Sequence, residues 1–165
     1  MSVNLSAHDL NDRSIVSVIA DALDRANLAP GRLQLEITES GLINDLKTAR
    51  EILTELRSMG MSIAIDDFGT GYSSLSYLDM LPLNKVKIDR SFVRDLTKDP
   101  KKLKLLRGVV NLARELGLEV VVEGVETEDQ LVMISDNNCA DIIQGDIFGI
   151  PMPHGSFIVL ANKLS

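Results

Sequence analysis

Apolar and polar residues alternate along the chain with two different periods, which predict strands and helices in turn. Segments with a period of two predict strands at residues 3–5, 33–38, 62–66, 85–88, 119–123 and 140–143. Amphipathic segments predict helices at residues 13–26, 45–59, 100–116 and 128–136, a short one at 74–79 and a last one at 156–164. This alternation is typical of βα units around a parallel sheet.

Residues that favour helix ends stand at the boundaries of these segments. Gly60 and Gly117 follow two predicted helices, and Pro100 opens another. Thr127 and Gln130 have the spacing of a capping box. The division into helices and strands is therefore supported by signals that do not depend on hydrophobic period.

The predicted strands also carry polar residues at every second position. Because crossover helices cover one face of a parallel sheet, these polar side chains are expected to face the inside of a barrel or a crevice of an open sheet. Ligand sites of βα barrels lie at the carboxyl ends of the strands. One polar residue is predicted to close each strand: Asn4, Glu36, Asp66, Lys87, Glu123 and Gln144.

Composition limits the classes of function. The 165 residues are 45% apolar and 25% charged, which indicates one globular domain. The formal net charge of -7 argues against binding a nucleic-acid polymer, but a small phosphorylated ligand is compatible with it if divalent cations lie between. Neither a membrane span nor a signal peptide is predicted, so we expect a cytoplasmic chain or the cytoplasmic part of a membrane-anchored parent. The single cysteine, Cys139, is predicted to be a buried structural thiol.

The polar rim is rich in carboxylates. Glu36, Asp66, Asp67 and Glu123 converge there with an amide and Lys87, without histidine or cysteine. Oxygen ligands suit Mg²⁺ or Mn²⁺, and two such ions bridged by a carboxylate are suited to in-line phosphoester hydrolysis. The alternative is a structural ion network in which Glu36 or Glu123 pairs with Lys87.

Six short segments, in this order and spacing, closely resemble the EAL domain family. The ten-residue run that begins at Asp66 is the most specific of them. The resemblance implies a (β/α)8 barrel that hydrolyses one phosphodiester bond of cyclic di-GMP to give linear pGpG. The segments are Val-Asn-Leu-Ser at 3–6, Glu-Ile-Thr-Glu-Ser at 36–40, Asp-Asp-Phe-Gly-Thr-Gly-Tyr-Ser-Ser-Leu at 66–75, Val-Lys-Ile-Asp at 86–89, Glu-Gly-Val-Glu at 123–126 and Gln-Gly at 144–145.

The resemblance implies roles for individual metal ligands. Asn4, Glu36 and Asp66 look like the ligands of one metal ion. Asp66, as the bridging ligand, together with Asp67 and Glu123 looks like the ligand set of the second ion. The expected cofactor is therefore Mg²⁺ or Mn²⁺ in a two-metal site, which is incomplete if a further ligand is missing.

Catalytic and substrate-binding roles are implied in the same way. Lys87 resembles the lysine that orients the attacking water or a phosphate oxygen, and it acts with Glu123. Glu39 resembles the glutamate that holds the loop after Asp67 in place. Gln144, Lys87 and Asp89 are predicted to contact the substrate.

The loop after Asp67 has two glycines and is predicted to couple substrate, metals and a dimer partner. The alternative is a plain connection in which Phe68 and Tyr72 are packing residues. The residues assigned to this coupling are Phe68, Gly69, Thr70, Gly71, Tyr72 and Ser73.

The chain departs from the family at its beginning. The Glu-Ala-Leu tripeptide, whose glutamate is a further metal ligand, and a nearby arginine are absent, and 165 residues fall short of the roughly 250 of a complete barrel. We therefore expect an incomplete TIM-type barrel of about six of the eight βα units. Residues 1–165 would be the C-terminal two-thirds of an EAL-type phosphodiesterase domain, with weak or absent hydrolysis.

Two further expectations follow. Open edge strands favour a homodimer, possibly strand-swapped, or a partly rearranged fold, and a full-length parent would carry an upstream signalling domain. After Gln144 the family has two aromatic residues and a lysine before proline, whereas this chain has Asp146, Ile147 and Ile150. This difference weakens the expected contacts with guanine or phosphate.

Three functions remain open at this stage. The first is a cyclic di-GMP phosphodiesterase, and the second is an inactive EAL-like module that binds cyclic di-GMP or a protein partner. The retained metal-ligand positions favour the first, and the altered segment after Gln144 favours the second. The third, an unrelated metal-dependent barrel such as an enolase-like lyase, requires the match of the ten-residue run to be accidental.

Overall fold

Six parallel strands form one sheet, and each strand pairs with its neighbours in the sequence. The structure, a computed structural model, describes residues 1–38, 45–70, 76–153 and 155–158, with residues 76 and 77 described by their backbone alone. The strand order is β1-β2-β3-β4-β5-β6, which confirms the predicted parallel α/β architecture. The strands are β1 Ser2–Leu5, β2 Gln34–Thr38, β3 Ser62–Phe68, β4 Lys85–Ile88, β5 Glu119–Val122 and β6 Ile142–Ile143.

Helices connect successive strands, as the sequence predicts. Pro100 occupies the first turn of its helix, and Thr127 with Gln130 forms the predicted capping box. Gly60 and Gly117 follow helices with φ of 100° and 74°. Residues 155–158 are also helical, and the rest of the helix predicted at 156–164 lies outside the described residues. The helices are α1 Ser14–Ala26, α2 Leu46–Ser58, α3 Ser76–Met80, α4 Pro100–Glu115 and α5 Glu128–Asp136.

The hydrophobic core lies between the helices and the outer face of the sheet. Alternate residues of the central strands, such as Ile37, Ile65 and Val86, have no exposed surface. They belong to one apolar cluster with Leu53 of α2 and Leu106 of α4. Burying each such side chain contributes about 1.5 to 3 kcal/mol, so this layer holds the strands in register. Cys139 is buried in the same cluster, as expected.

The end of β3 differs from the prediction. The strand continues to Phe68 instead of ending at Asp66, and its register with β4 shifts between Ile65 and Phe68. Asp67 has a left-handed backbone with φ of 53°. Two residues, Asp66 and Asp67, therefore occupy the space opposite Lys87, as in a β-bulge, which redirects side chains at the end of a strand.

Two polar residues lie further from the strand ends than predicted. Glu36 is the third of the five residues of β2, and Asp66 precedes the end of β3 by two residues. Asn4 is the last but one residue of β1. Glu123 directly follows β5, and Gln144 directly follows β6. On β2 and β3, the polar residues therefore lie further from the carboxyl ends of the strands than on the other strands.

The edge strands β1 and β6 each pair with one neighbour within the described ranges. Val3 at one edge and Ile142 at the other are 41% and 39% exposed. In the described part of the chain, no helix combines the length and apolar character that crossing a membrane requires.

Candidate functional site

Lys87 lies at the centre of a buried ion network on the inner face of the sheet. Its ammonium group donates to Glu36 Oε2 and Asp66 Oδ1, both at 2.9 Å, and forms an ion pair with Glu123 Oε1 at 2.8 Å. Lys87 and Glu36 are only 7% and 8% exposed. The four adjacent strands β2 to β5 thus bring polar residues to one point, as the alternating pattern predicts.

Mutual contacts determine the protonation of this network. Burial opposes the charge of Lys87, but the hydrogen bonds that its ammonium donates to Glu123, Asp66 and Glu36 raise its pKa above the ordinary value. Burial opposes the charge of Glu36, yet hydrogen bonds from Lys87 and Gln34 lower its pKa below the ordinary value. The pKa of Glu123 is raised by burial, which the contact with Lys87 only partly offsets. Lys87 therefore remains a cation.

Three carboxylates form a group that fits a metal ion. One oxygen each from Asp66, Asp67 and Glu123 lies within 4.8 Å of the other two. Burial, then the charges of Asp66 and Asp89, raise the pKa of Asp67. A divalent cation would offset this crowding of carboxylates, and their oxygen ligands suit a hard cation.

Glu36 and Asn4 are placed differently from this group. Glu36 is joined to it through Lys87, and its other oxygen accepts a hydrogen bond of 2.8 Å from Gln34. Asn4 pairs in register with Glu36 and is exposed on the edge strand. The structural ion network that the sequence left as an alternative is thus present together with the acidic group.

A cavity of about 410 Å³ opens beside the acidic group. Of the three predicted substrate-binding residues, Gln144 and Asp89 line it together with Asp67 and Glu123, whereas Lys87 is not part of the lining. The side chain of Asp89 is fixed, because it accepts a hydrogen bond of 2.9 Å from the backbone of Ser91. The complete lining is Asp67, Asp89, Arg90, Glu123, Gly124, Glu126, Gln144, Gly145 and Asp146.

Comparison with known proteins identifies this arrangement. The model of the EAL domain matches residues 1–151. The chain belongs to the EAL domain family. This confirms the resemblance that the six motifs indicate, and it assigns the cavity to an EAL fold.

Relatives of this EAL chain include enzymes of cyclic di-GMP turnover. The cyclic di-GMP phosphodiesterase NbdA of Pseudomonas aeruginosa is 41% identical over 153 residues, which are 93% of this chain and 19% of NbdA. The EAL domain of Mycobacterium smegmatis DcpA superimposes with a TM-score of 0.91 at 40% identity, covering 98% of this chain and 72% of that one.

A third relative was solved with ligands. The manganese and cyclic di-GMP complex of Klebsiella pneumoniae BlrP1 superimposes with a TM-score of 0.80 at 35% identity, covering 87% of this chain and 37% of that one. A calcium and cyclic di-GMP complex of BlrP1 is also similar. The present chain spans about a fifth of the length of the curated relatives that it matches first.

The ten-residue motif that begins at Asp66 is described only as far as Thr70. Phe68 is buried, and a side chain at Gly69, where φ is 97°, would overlap the ring of Phe92. The hydroxyl of Thr70 donates to the carbonyl of Asp67 at 2.9 Å. Phe68 therefore packs in the core, and coupling through this loop stays a prediction. Glu39, Gly71, Tyr72 and Ser73 lie outside the described residues.

The sequence interpretation missed Arg90 and Glu126 as cavity residues. The sequence carries a signal for both, because Arg90 directly follows the Val-Lys-Ile-Asp motif and Glu126 ends the Glu-Gly-Val-Glu motif. Gly124 and Gly145 belong to two of the six motifs, and the structure shows why small residues stand there. A Cβ at Gly145 would overlap the backbone of Val125, so the cavity wall has no room for a side chain there.

Gly124→Ala is expected to destabilise the domain by about 2 to 4 kcal/mol, because Gly124 has φ of 70° and a Cβ would overlap that of Arg90. Urea unfolding at pH 7 measures this effect. Gly108→Ala is the matched control, since nothing lies within 4 Å of that position in α4 and alanine favours a helix. Equal stability of the two variants would contradict the close approach of Arg90 to Gly124.

Proposed function

We propose that this EAL chain forms the metal-binding wall of a phosphodiesterase site that hydrolyses cyclic di-GMP to linear pGpG. The observation that carries the proposal is the convergence of Asp66, Asp67 and Glu123 beside Lys87 and the cavity. Relatives named as cyclic di-GMP phosphodiesterases, or solved with this nucleotide, support the choice of substrate.

The proposed cofactor is Mg²⁺ or Mn²⁺ at two adjacent positions. Asp66, Asp67 and Glu123 would hold one ion, and Asp66 with Glu36 and Asn4 would hold the other. Such ions acidify water and offset negative charge on a phosphate. The oxygen-only ligand set supports a hard cation, and the manganese complex of a 35% identical relative supports Mn²⁺.

The chain's own residues would orient the carboxylates and the nucleotide. Lys87 keeps its proton, and its three contacts hold Glu36, Asp66 and Glu123 in one place. If metal ions draw one of these carboxylates away, the same ammonium is the proposed donor to the attacking water or a phosphate oxygen. Gln144 and Asp89 are the proposed contacts with the nucleotide, and Glu39 the proposed support of the loop after Asp67.

Turnover tests this proposal directly. Incubation of the chain with cyclic di-GMP and Mn²⁺ is expected to give pGpG at the reduced rate that the sequence predicts, and Glu123→Ala is expected to give none above background. Chromatography of the nucleotides measures the product. Turnover by Glu123→Ala at the rate of the parent chain would show that the acidic group does not carry the reaction.

The second candidate function is binding of cyclic di-GMP without hydrolysis. Asp146 lines the cavity where the family usually has an aromatic residue, and Ile150, 66% exposed, replaces the usual lysine. A carboxylate in place of an aromatic ring weakens stacking on guanine and repels phosphate. Saturable binding of the nucleotide with no pGpG in the turnover assay would favour this function.

The proposed assembly is a homodimer formed through the edge strand β1, which pairs with β2 alone among the described residues. Apolar side chains of β1 and α1, among them Val3, Ile15 and Ile19, line a groove of about 330 Å³ beside that edge. Unpaired strands with apolar surroundings favour association. Light scattering at micromolar concentration is expected to give twice the monomer mass of 18.1 kDa. The monomer mass throughout the dilution series would contradict the dimer.

A further inference from the structure

Arg90 is a cation without a direct contact to a carboxylate among the described residues, although its charge acts at longer range on Asp67 and Asp89. It lines the cavity beside the metal-ligand group and is exposed. Within the described ranges, its guanidinium forms neither an ion pair nor a hydrogen bond, whereas Lys85, Lys87 and Arg114 are all paired with carboxylates. A guanidinium left unpaired at the wall of a cavity is available to a ligand.

The backbone around Arg90 is held in position from two sides. Arg90 opens a short 3-10 turn, Arg90–Phe92, which is capped by Asp89, and its carbonyl accepts from Arg94 at 2.9 Å. Its Cα and Cβ pack against Gly124, where any larger residue would overlap them. The start of the side chain is therefore fixed at the cavity wall, which lowers the entropy lost when the guanidinium binds.

The charge of the cavity makes a cation necessary for an anionic ligand. Asp89, Glu126 and Asp146 line the cavity but lie outside the group that fits a metal ion. They repel a nucleotide phosphate even when metal ions offset the charge of Asp67 and Glu123. In the described part of the chain, Arg90 is the one cationic residue of this lining.

We infer that Arg90 is a substrate-binding residue whose guanidinium contacts a phosphate of the bound cyclic dinucleotide. This inference rests on the proposed function and adds a residue to that site. Arg94 provides a matched comparison, because it is exposed, lies four positions further on, and lines a neighbouring cavity of about 100 Å³ but not the cavity beside the acidic group. Removing either charge changes the net charge of the chain equally.

Calorimetric titration of the full chain with cyclic di-GMP in Ca²⁺ tests the inference. Arg90→Gln is expected to raise the Kd at least tenfold, Arg90→Lys by about threefold or less, and Arg94→Gln by less than twofold. In the turnover assay with Mn²⁺, Arg90→Gln is expected to raise KM by the same factor and to leave kcat within threefold. Thermal unfolding of each variant verifies that it is folded, and the folded Arg90→Lys variant distinguishes charge from packing.

The possible outcomes distinguish a failure of the Arg90 contact from a failure of the proposed phosphodiesterase function. Equal effects of Arg90→Gln and Arg94→Gln would overturn the contact and leave a general charge effect. A parent chain that binds and hydrolyses the nucleotide, with Arg90→Gln unchanged, would overturn this inference alone. A parent chain that neither binds nor hydrolyses it would overturn the proposed function and the inference together.

Discussion

Lys87→Met is expected to destabilise the metal-free domain by about 3 to 5 kcal/mol, because three carboxylates lose the cation that pairs with them. Lys87 and Glu36 are buried, so water replaces little of that interaction. Methionine fills a similar volume, which keeps the packing of β4 intact. Urea unfolding at pH 7 in the presence of a chelator measures the loss.

Lys85→Met is the matched control for this variant. Lys85 also lies on β4 and pairs with a carboxylate, Glu119, at 2.6 Å, but that glutamate side chain is 43% exposed. An exposed pair of this kind contributes about 0 to 1 kcal/mol. If Lys87→Met destabilised the domain no more than Lys85→Met, the network would not be the electrostatic centre of the fold.

Acid is expected to reduce the difference between Lys87→Met and the parent chain. Burial opposes ionisation of Glu36, but Lys87 and Gln34 lower its pKa below the ordinary 4.5. The stability that this shift contributes is fully present above that value and is lost as the pH falls through the folded-state pKa. Urea unfolding between pH 7 and pH 3 should therefore show the parent chain approaching the variant. A constant difference would contradict the assigned role of Glu36.

Asp67→Asn is expected to weaken Mn²⁺ binding on the order of 100-fold or more, because it removes one charged oxygen ligand of the acidic group. Asparagine tolerates the left-handed backbone of residue 67, whose φ is 53°, so the bulge at the end of β3 is preserved. Calorimetric titration with Mn²⁺ measures the affinity, and turnover of cyclic di-GMP is expected to fall with it.

Glu126→Gln is the control for the loss of a cavity carboxylate. Glu126 lines the same cavity but does not belong to the group of three carboxylates. Its removal is expected to change Mn²⁺ affinity less than threefold, since it acts only through the long-range field. Similar losses in Asp67→Asn and Glu126→Gln would mean that the cavity attracts metal ions without a defined site.

Much of the fold could be predicted because local patterns and tertiary packing agree. Alternating residues such as Ile63 and Ile65 indicate one buried face, and the helices that cover it begin and end at recognisable caps. The exact end of β3 could not be predicted, because the bulge at Asp66 and Asp67 depends on how β3 pairs with β4 on either side of it. Such pairing is a property of the sheet, which a single strand does not encode.

The site could be predicted in its residues better than in its contacts. The polar residues of β2 to β5 converge as the alternation indicates, since parallel strands present the same face to one rim. The sequence could not decide whether Lys87 pairs with the carboxylates or stands apart, because the answer depends on distances across three strands. Arg90 was missed because an arginine next to a motif has no pattern of its own.

Anomalous scattering from crystals of the chain grown with Mn²⁺ and cyclic di-GMP would show whether the three carboxylates hold a metal ion. We expect a manganese peak bounded by carboxylate oxygens of Asp66, Asp67 and Glu123, with a phosphate of the nucleotide beside it. The absence of manganese from that group, with the nucleotide bound elsewhere on the chain, would contradict the proposed metal site.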